Sequence, residues 1–99
     1  MYPNKREDGV LTIELPDRID SVTAADVEVN IMGIVDGGEQ DSLILDAVNL
    51  VYISSAGLRI VLKLLKKIKN VSVVNVDGDI YDIFSLAGFT NMMVVEKKN

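Results

Sequence analysis

Two hydrophobic periodicities take turns along this chain, and their alternation restricts the fold more than any other feature of its 99 residues. Leu11, Ile13 and Leu15 occupy every second position, with Thr12 and Glu14 between them. That is the spacing of a strand with one buried face, because successive side chains of a strand point to opposite sides. Pro16-Asp17 ends it. Ala24, Val27, Ile31 and Ile34/Val35 then recur at intervals of three and four, the stripe of an amphipathic helix. At its start, Thr23-Ala24-Ala25-Asp26 has capping-box spacing, a hydroxyl followed three residues on by a carboxylate. Gly37-Gly38 breaks it. The run Ser42-Leu43-Ile44-Leu45 predicts a central strand covered on both faces. A helix is predicted over 57–69, a strand over 71–76, a short helix over 80–87 that stops at Gly88, and a last strand over 92–95. Asp8-Gly9 and Asp77-Gly78 mark turns, and residues 2–6 are fit only for a short polar edge strand. Strands and helices in alternation predict one α/β domain over 1–99, with a mostly parallel four- to five-stranded sheet and three or more helices. An open sheet of this kind places its binding site at the carboxyl ends of the strands, which are residues 16–23, 47–57 and 77–79.

The chain contains no Cys and no His. Disulfides, thiolate nucleophiles, Ser-His-Asp triads and His- or Cys-ligated zinc are therefore excluded. Asp77, Asp79 and Asp82 lack the ligand loop of an EF-hand, and their spacing reads better as a turn followed by acids at a helix N-terminus. No metal site is expected. No run approaches the roughly 18 apolar residues of a membrane span, and residues 2–8 carry no apolar signal-peptide core. The expected location is the cytoplasm.

The net charge of −5 argues against nucleic acid as a partner, because phosphate contacts need a basic surface. The charges are segregated. Between Asp20 and Leu58 every charged residue is acidic; between Arg59 and Lys69 every one is basic. A polarised surface suits a protein partner, and it equally suits two solvated helix faces.

The chemistry concentrates at Ser54-Ser55-Ala56-Gly57-Leu58-Arg59, where a loop after Asp46 enters the strongest predicted helix. A serine here has two readings. It can be an N-cap, its oxygen accepting from an orphan backbone N–H, worth about 1 kcal/mol. It can also be an exposed hydroxyl at a helix N-terminus, where free N–H groups and the macrodipole favour an added anion such as a phosphate. Gly57 keeps that first turn open or packs closely. Asp46 can cap the turn of its own loop or orient a serine hydroxyl. Along the helix, Leu58, Val61, Leu62, Leu65 and Ile68 share one side, and Arg59, Lys63 and Lys66 the other. Ile60 and Leu64 belong either to the core or to the rim of an exposed apolar patch.

Three segments carry a resemblance. Asp46 followed by Val51-Tyr52-Ile53-Ser54-Ser55-Ala56-Gly57-Leu58 resembles the signature of STAS domains of the bacterial anti-sigma factor antagonist family. Arg18-Ile19-Asp20-Ser21-Val22-Thr23-Ala24 resembles the family's second motif, although Asp17 stands where a Gly is usual. Ile83-Phe84-Ser85-Leu86-Ala87-Gly88-Phe89 resembles its late helix and turn. The order and spacing agree over nearly the whole chain, which stops short of the terminal helix many members carry. The resemblance implies a non-enzymatic switch without cofactor. Its partner would be an anti-sigma factor serine kinase that holds the ATP, and binding that kinase would release a sigma factor. Phosphorylation would turn the switch off and a PP2C-type phosphatase would reset it, with no nucleic acid or membrane involved. Carried onto this chain, the phosphoacceptor is Ser55, with Ser54 as second choice. Asp20, Asp46, Ala56 and Gly57 support it. Asp20, Ser21, Val22, Thr23, Ser54, Ser55, Leu58, Arg59 and Lys63 meet the partner. The alternatives within the same fold are a regulatory subunit of an ABC-type lipid transporter and a nucleotide-binding module. The missing Gly-rich phosphate loop weighs against the latter.

Overall fold

Asp8 and Gly9 adopt φ angles of 52° and 80°, the pair of positive values that a two-residue hairpin turn requires. In the computed structural model, which describes residues 2–99, this turn joins β1 (Asn4–Glu7) antiparallel to β2 (Val10–Glu14). Two short strands, β3 (Arg18–Ile19) and β5 (Tyr52–Ile53), lie apart from the main sheet. Within that sheet β2 pairs in parallel with β4 (Ser42–Asp46), β4 with β6 (Asn70–Val76), and β6 with β7 (Val94–Lys97). Among the described residues this makes a five-stranded sheet in the order β1-β2-β4-β6-β7. The crossovers carry α1 (Ala24–Asp36), α2 (Ser55–Lys67) and α3 (Gly78–Leu86), and a 3-10 turn at Phe89–Asn91 precedes β7. The charged, alternating Lys5, Arg6 and Glu7 of β1 leave one edge of the sheet polar, which discourages strand addition there.

Sheet coverage differs from expectation. Leu43 and Leu45 of β4 are fully buried, as are Leu11, Ile13 and Val73 beside them. Ser42, Ile44 and Asp46, on the opposite face, are only half-buried, and so are Thr12, Glu14, Ser72 and Val74. The central strand is thus sealed on one face. The buried residues of all three helices (Val27, Ile31, Ile60, Leu64, Ile80 and Phe84 among them) join one apolar core with the sealed face. Phe84 meets Phe89 edge-on, with ring centroids 5.6 Å apart. Four consecutive strand-like residues cannot reveal whether one face or two are covered; the placement of the crossover helices decides it.

The helix ends carry further corrections. The Thr23 side chain makes no capping bond to α1. Instead Asp20 Oδ1 accepts from the N–H groups of Val22 and Thr23, each at 2.9 Å, and Thr23 Oγ1 accepts from the Asp20 N–H at 3.0 Å. The reciprocal box is Asp20/Thr23, one turn before the predicted Thr23/Asp26 pair, because an acid at the first position offers a charged acceptor to two amides at once. Asp77 and Gly78 form no separate turn. Asp77 is the N-cap of α3, its carboxylate accepting from Asp79 N–H at 3.0 Å. The last strand begins two residues later than the pattern suggests, since Gly88, at φ 86°, precedes a 3-10 turn and the N–H groups of Met92 and Met93 after it are still tied back to Phe89 O at 2.9 and 3.0 Å.

α1 and α2 pack side by side, and their opposite charges meet. Lys63 Nζ lies 2.9 Å from Glu28 and Lys67 Nζ 3.1 Å from Asp36. The segregation in the sequence is therefore partly spent inside the molecule. Each of these exposed pairs contributes less than about 1 kcal/mol.

Candidate functional site

The site is built by the two strands of two residues each. β3 pairs in parallel with β5, Arg18 beside Tyr52 and Ile19 beside Ile53. Val51 N–H donates to Asp17 O at 2.8 Å, and Ser54 N–H donates to Ile19 O at 2.9 Å. This short ladder joins two of the three loops expected at the strand ends, so that residues 17–20 lie against residues 51–54. Neither strand is legible in the sequence, because two residues carry no periodicity. The third loop, 77–79, serves as the cap of α3. Among the described residues no group of three or more acidic side chains is gathered to hold a metal.

At the N-terminus of α2 the two serines divide the two readings between them. Ser54 is the N-cap, in extended conformation, and its Oγ accepts from Gly57 N–H at 3.5 Å, a long bond. Ser55 is the first helical residue and is exposed. Its N–H and that of Ala56 belong to the first turn, which has no intrahelical acceptors for them, so an anion on its hydroxyl would sit at the positive end of the α2 dipole. Ala56 is half-buried behind it. Gly57 is buried and packs closely: a Cβ placed there would stand 2.6 Å from Ile53 Cγ1 and 2.9 Å from Ile19 Cγ2. The missing side chain lets the helix press against both strands of the small ladder.

Asp20 is joined to the site through β3. Besides its two backbone donors it lies 3.4 Å from Arg18 Nε, and the Arg18 guanidinium stacks 4.6 Å from the centre of the Tyr52 ring. The Thr23 amide above all, then the Val22 amide and the Arg18 guanidinium, hold its carboxyl below the ordinary value of 3.8, against a partial desolvation that raises it. At neutral pH it is an anion. The sign of its effect on folding follows. A depressed carboxyl stabilises the fold above its unfolded value, and that contribution is lost as pH falls through the lower folded value. Acid titration below pH 3.8 is expected to loosen the start of α1, and Asp20→Asn to remove that step while keeping the turn. Carbon-detected NMR of the carboxyl group against pH checks it; a titration midpoint at or above 3.8 would contradict it.

Asp46 follows the first of its two readings. Its Oδ1 accepts from Val48 N–H at 3.1 Å and from Asn75 Nδ2 at 2.9 Å, and it makes no hydrogen bond to either serine. It shapes the loop that leads to the serines and does not orient a hydroxyl. Ile60 and Leu64 are core residues, 3% and 0% exposed. The half-buried edge of α2 is formed by Leu58, Leu62 and Leu65 instead, because α2 turns its Ile60–Val61–Leu64 arc onto the sheet. Arg59 is exposed at the surface, whereas Lys63 is engaged by Glu28.

The two loops joined by the ladder expose apolar side chains beside the charged Arg18 and the hydroxyl of Ser55. Val22 is 86% exposed, Val51 65% and Tyr52 41%, with Ser21 exposed beside Val22. Val51 and Tyr52 are not among the contact residues expected from the sequence. Nothing in the loop marked them, since Ala47, Val48, Leu50 and Ile53 around them are apolar too, and Val-Tyr-Ile reads equally well as buried strand. Large apolar side chains left exposed together mark a contact surface more often than an enzyme pocket.

Comparison with known proteins identifies the family and the fold. The STAS domain family profile matches residues 2–98. The chain is 33% identical over 92 residues to BtrV of Bordetella bronchiseptica, assigned as an anti-sigma factor antagonist, covering 89% of this chain and 78% of that protein. An anti-sigma factor antagonist from Mycobacterium paratuberculosis superposes with a TM-score of 0.84 at 22% identity, over 97% of this chain and 84% of that one. SpoIIAA, the Bacillus cell fate determinant, superposes with a TM-score of 0.77 in its unphosphorylated form and 0.69 in its phosphorylated form. Both forms are 15% identical to this chain over 96% of its length, and 87% and 90% of SpoIIAA is covered.

Proposed function

The chain belongs to the anti-sigma factor antagonist family of STAS domains, and from that footing we propose that it is a regulatory binding protein switched at Ser55. It binds an anti-sigma factor serine kinase and thereby frees a sigma factor. The kinase holds the ATP and supplies the machinery of phosphoryl transfer, which is chiefly positioning and charge stabilisation. This chain supplies only the acceptor. A PP2C-type phosphatase restores the hydroxyl.

The observation that carries the reading is the division of labour at the α2 N-terminus. Ser54 spends its oxygen on the cap, and Ser55 stands exposed one residue later. The helix end accepts a dianion without cost to the fold. The persistence of this fold in both forms of SpoIIAA supports that point. The contact surface bears the cost instead. Phosphate adds roughly 1.5 to 2 negative charges beside ionised Asp20 and amid Val22, Val51 and Tyr52, where a docked partner excludes water. Desolvation and repulsion then release the complex.

Incubation of the full chain with its anti-sigma kinase and ATP is expected to add one phosphate, and peptide mass spectrometry to place it on Ser55. Modification of Ser54 alone, or none, would refute the assignment. An unmodified chain is also what the transporter-subunit alternative predicts.

A further inference from the structure

Asn75 departs from the pattern of its own strand. β6 buries Val71 and Val73, so strict alternation would send residue 75 into the core and residue 76 out. The reverse occurs: Val76 is fully buried and Asn75 is half-buried. A register shift makes the change. Val73 pairs with Val95 and Val76 with Lys97, three steps on β6 against two on β7. At the extra residue Asn75 takes φ 59°, a region uncommon for side-chain-bearing residues and tolerated best by Asn and Asp. Bulges of this kind re-aim a side chain. Here the carboxamide is turned to the half-open face of the sheet, where Nδ2 donates to Asp46 Oδ1 at 2.9 Å. The same oxygen accepts from Val48 N–H at 3.1 Å. The loop so held, residues 47–51, carries Val51 and runs directly into Tyr52. Its other side-chain ties come from Asn49 Nδ2, donating to Glu14 at 2.8 Å, and from Lys98 Nζ, donating to Val48 O at 3.0 Å, while the backbone ties Ala47 N–H to Val74 O at 2.9 Å and Val51 N–H to Asp17 O at 2.8 Å and leaves the Val48 amide to Asp46.

We infer that Asn75 is a positioning residue for the docking loop: through Asp46 it fixes the Val48 amide, and with it the presentation of Val51 and Tyr52 beside Ser55. The inference rests on the reading of that loop as a partner surface, and its physical core is testable without any partner. In Asn75→Asp two carboxylates face each other. Asn75→Gly keeps φ 59° at ease while deleting the donor. Asp46→Ala deletes the one oxygen that accepts both bonds, so Asn75→Gly added to it leaves Val48 nothing further to lose.

Amide hydrogen exchange by NMR on the labelled full chain reads the result. Val48 is expected to exchange at least about tenfold faster in Asn75→Asp and in Asn75→Gly, while Leu43 and Leu45 stay as protected as in the unaltered protein. With Asp46 already Ala, adding Asn75→Gly is expected to change Val48 exchange by less than about twofold. Unchanged Val48 exchange in Asn75→Gly alone, or a further acceleration of about tenfold when it is added to Asp46→Ala, would overturn the inference. Because no kinase takes part, failure here is separate from failure of the Ser55 switch, which the phosphorylation assay decides.

Discussion

Ser55→Asp is expected to weaken binding to the anti-sigma kinase by at least about tenfold, equivalent to about 1.4 kcal/mol, while leaving the unfolding midpoint essentially where it was. The two halves of this prediction have one cause. A carboxylate in the first turn of α2 lies at the favourable end of the helix dipole, so folding does not object. The same charge meets a docked partner beside Asp20, which its backbone amides keep ionised. Asp brings one charge and phosphoserine roughly 1.5 to 2, so the modified protein should lose more affinity than the variant. Ser55→Ala is expected to bind as the unmodified protein does and to resist release by ATP. Titration calorimetry with the kinase checks all three. An Asp variant that binds as tightly as the parent would leave the charge mechanism without support.

The largest effect on stability is expected at Gly57, and a second glycine supplies the control. Alanine in a helix interior is favoured over glycine by about 1 kcal/mol when its methyl group has room. At Gly33, exposed in α1, a Cβ would meet nothing within 4 Å, so Gly33→Ala is expected to stabilise by about 0.5–1 kcal/mol. At Gly57 the Cβ would lie 2.6 Å from Ile53 Cγ1 and 2.9 Å from Ile19 Cγ2. Those atoms belong to two buried side chains close to their branch points, and relief requires α2 to lift from β3 and β5. Overpacking of this kind costs about 1–3 kcal/mol, which outweighs the gain in propensity. Gly57→Ala is therefore expected to lower the urea midpoint and Gly33→Ala to raise it, both at unchanged slope. Equal shifts of the same sign would mean that the contact with the small ladder has no energetic weight. Because the same contact holds the Ser54 amide against Ile19, Gly57→Ala should also weaken partner binding beyond the stability loss.

Much of this architecture was legible because periodicity is local. Leu11, Ile13 and Leu15 announce one buried face wherever the strand ends up, and Val27, Ile31 and Ile34 announce a helix. A serine and Gly57 at the start of α2 were legible because helix termini are also local, governed by three or four neighbouring residues, whereas Asp20 and the choice of Ser55 over Ser54 came only with the family resemblance. The failures have two origins. The Thr23/Asp26 box lost to Asp20/Thr23, a competition between two local solutions one turn apart. Ile60 and Leu64 were ambiguous because a helix stripe as wide as that of α2 does not say which part of its arc meets the sheet.

What the chain determined alone was the order of the main-sheet strands and the helices, the absence of thiol and imidazole chemistry, and a hydroxyl at the start of a strong helix. The tertiary structure decided the rest. It joined Arg18–Ile19 to Tyr52–Ile53, which brings Asp20 to the serines. It paired the acids of α1 with the lysines of α2. It shifted β6 by one residue so that Asn75 reaches Asp46. These are contacts between residues 29 to 35 positions apart. No sequence window senses them, because their strength depends on how distant backbone segments come to lie and not on what stands next to each residue.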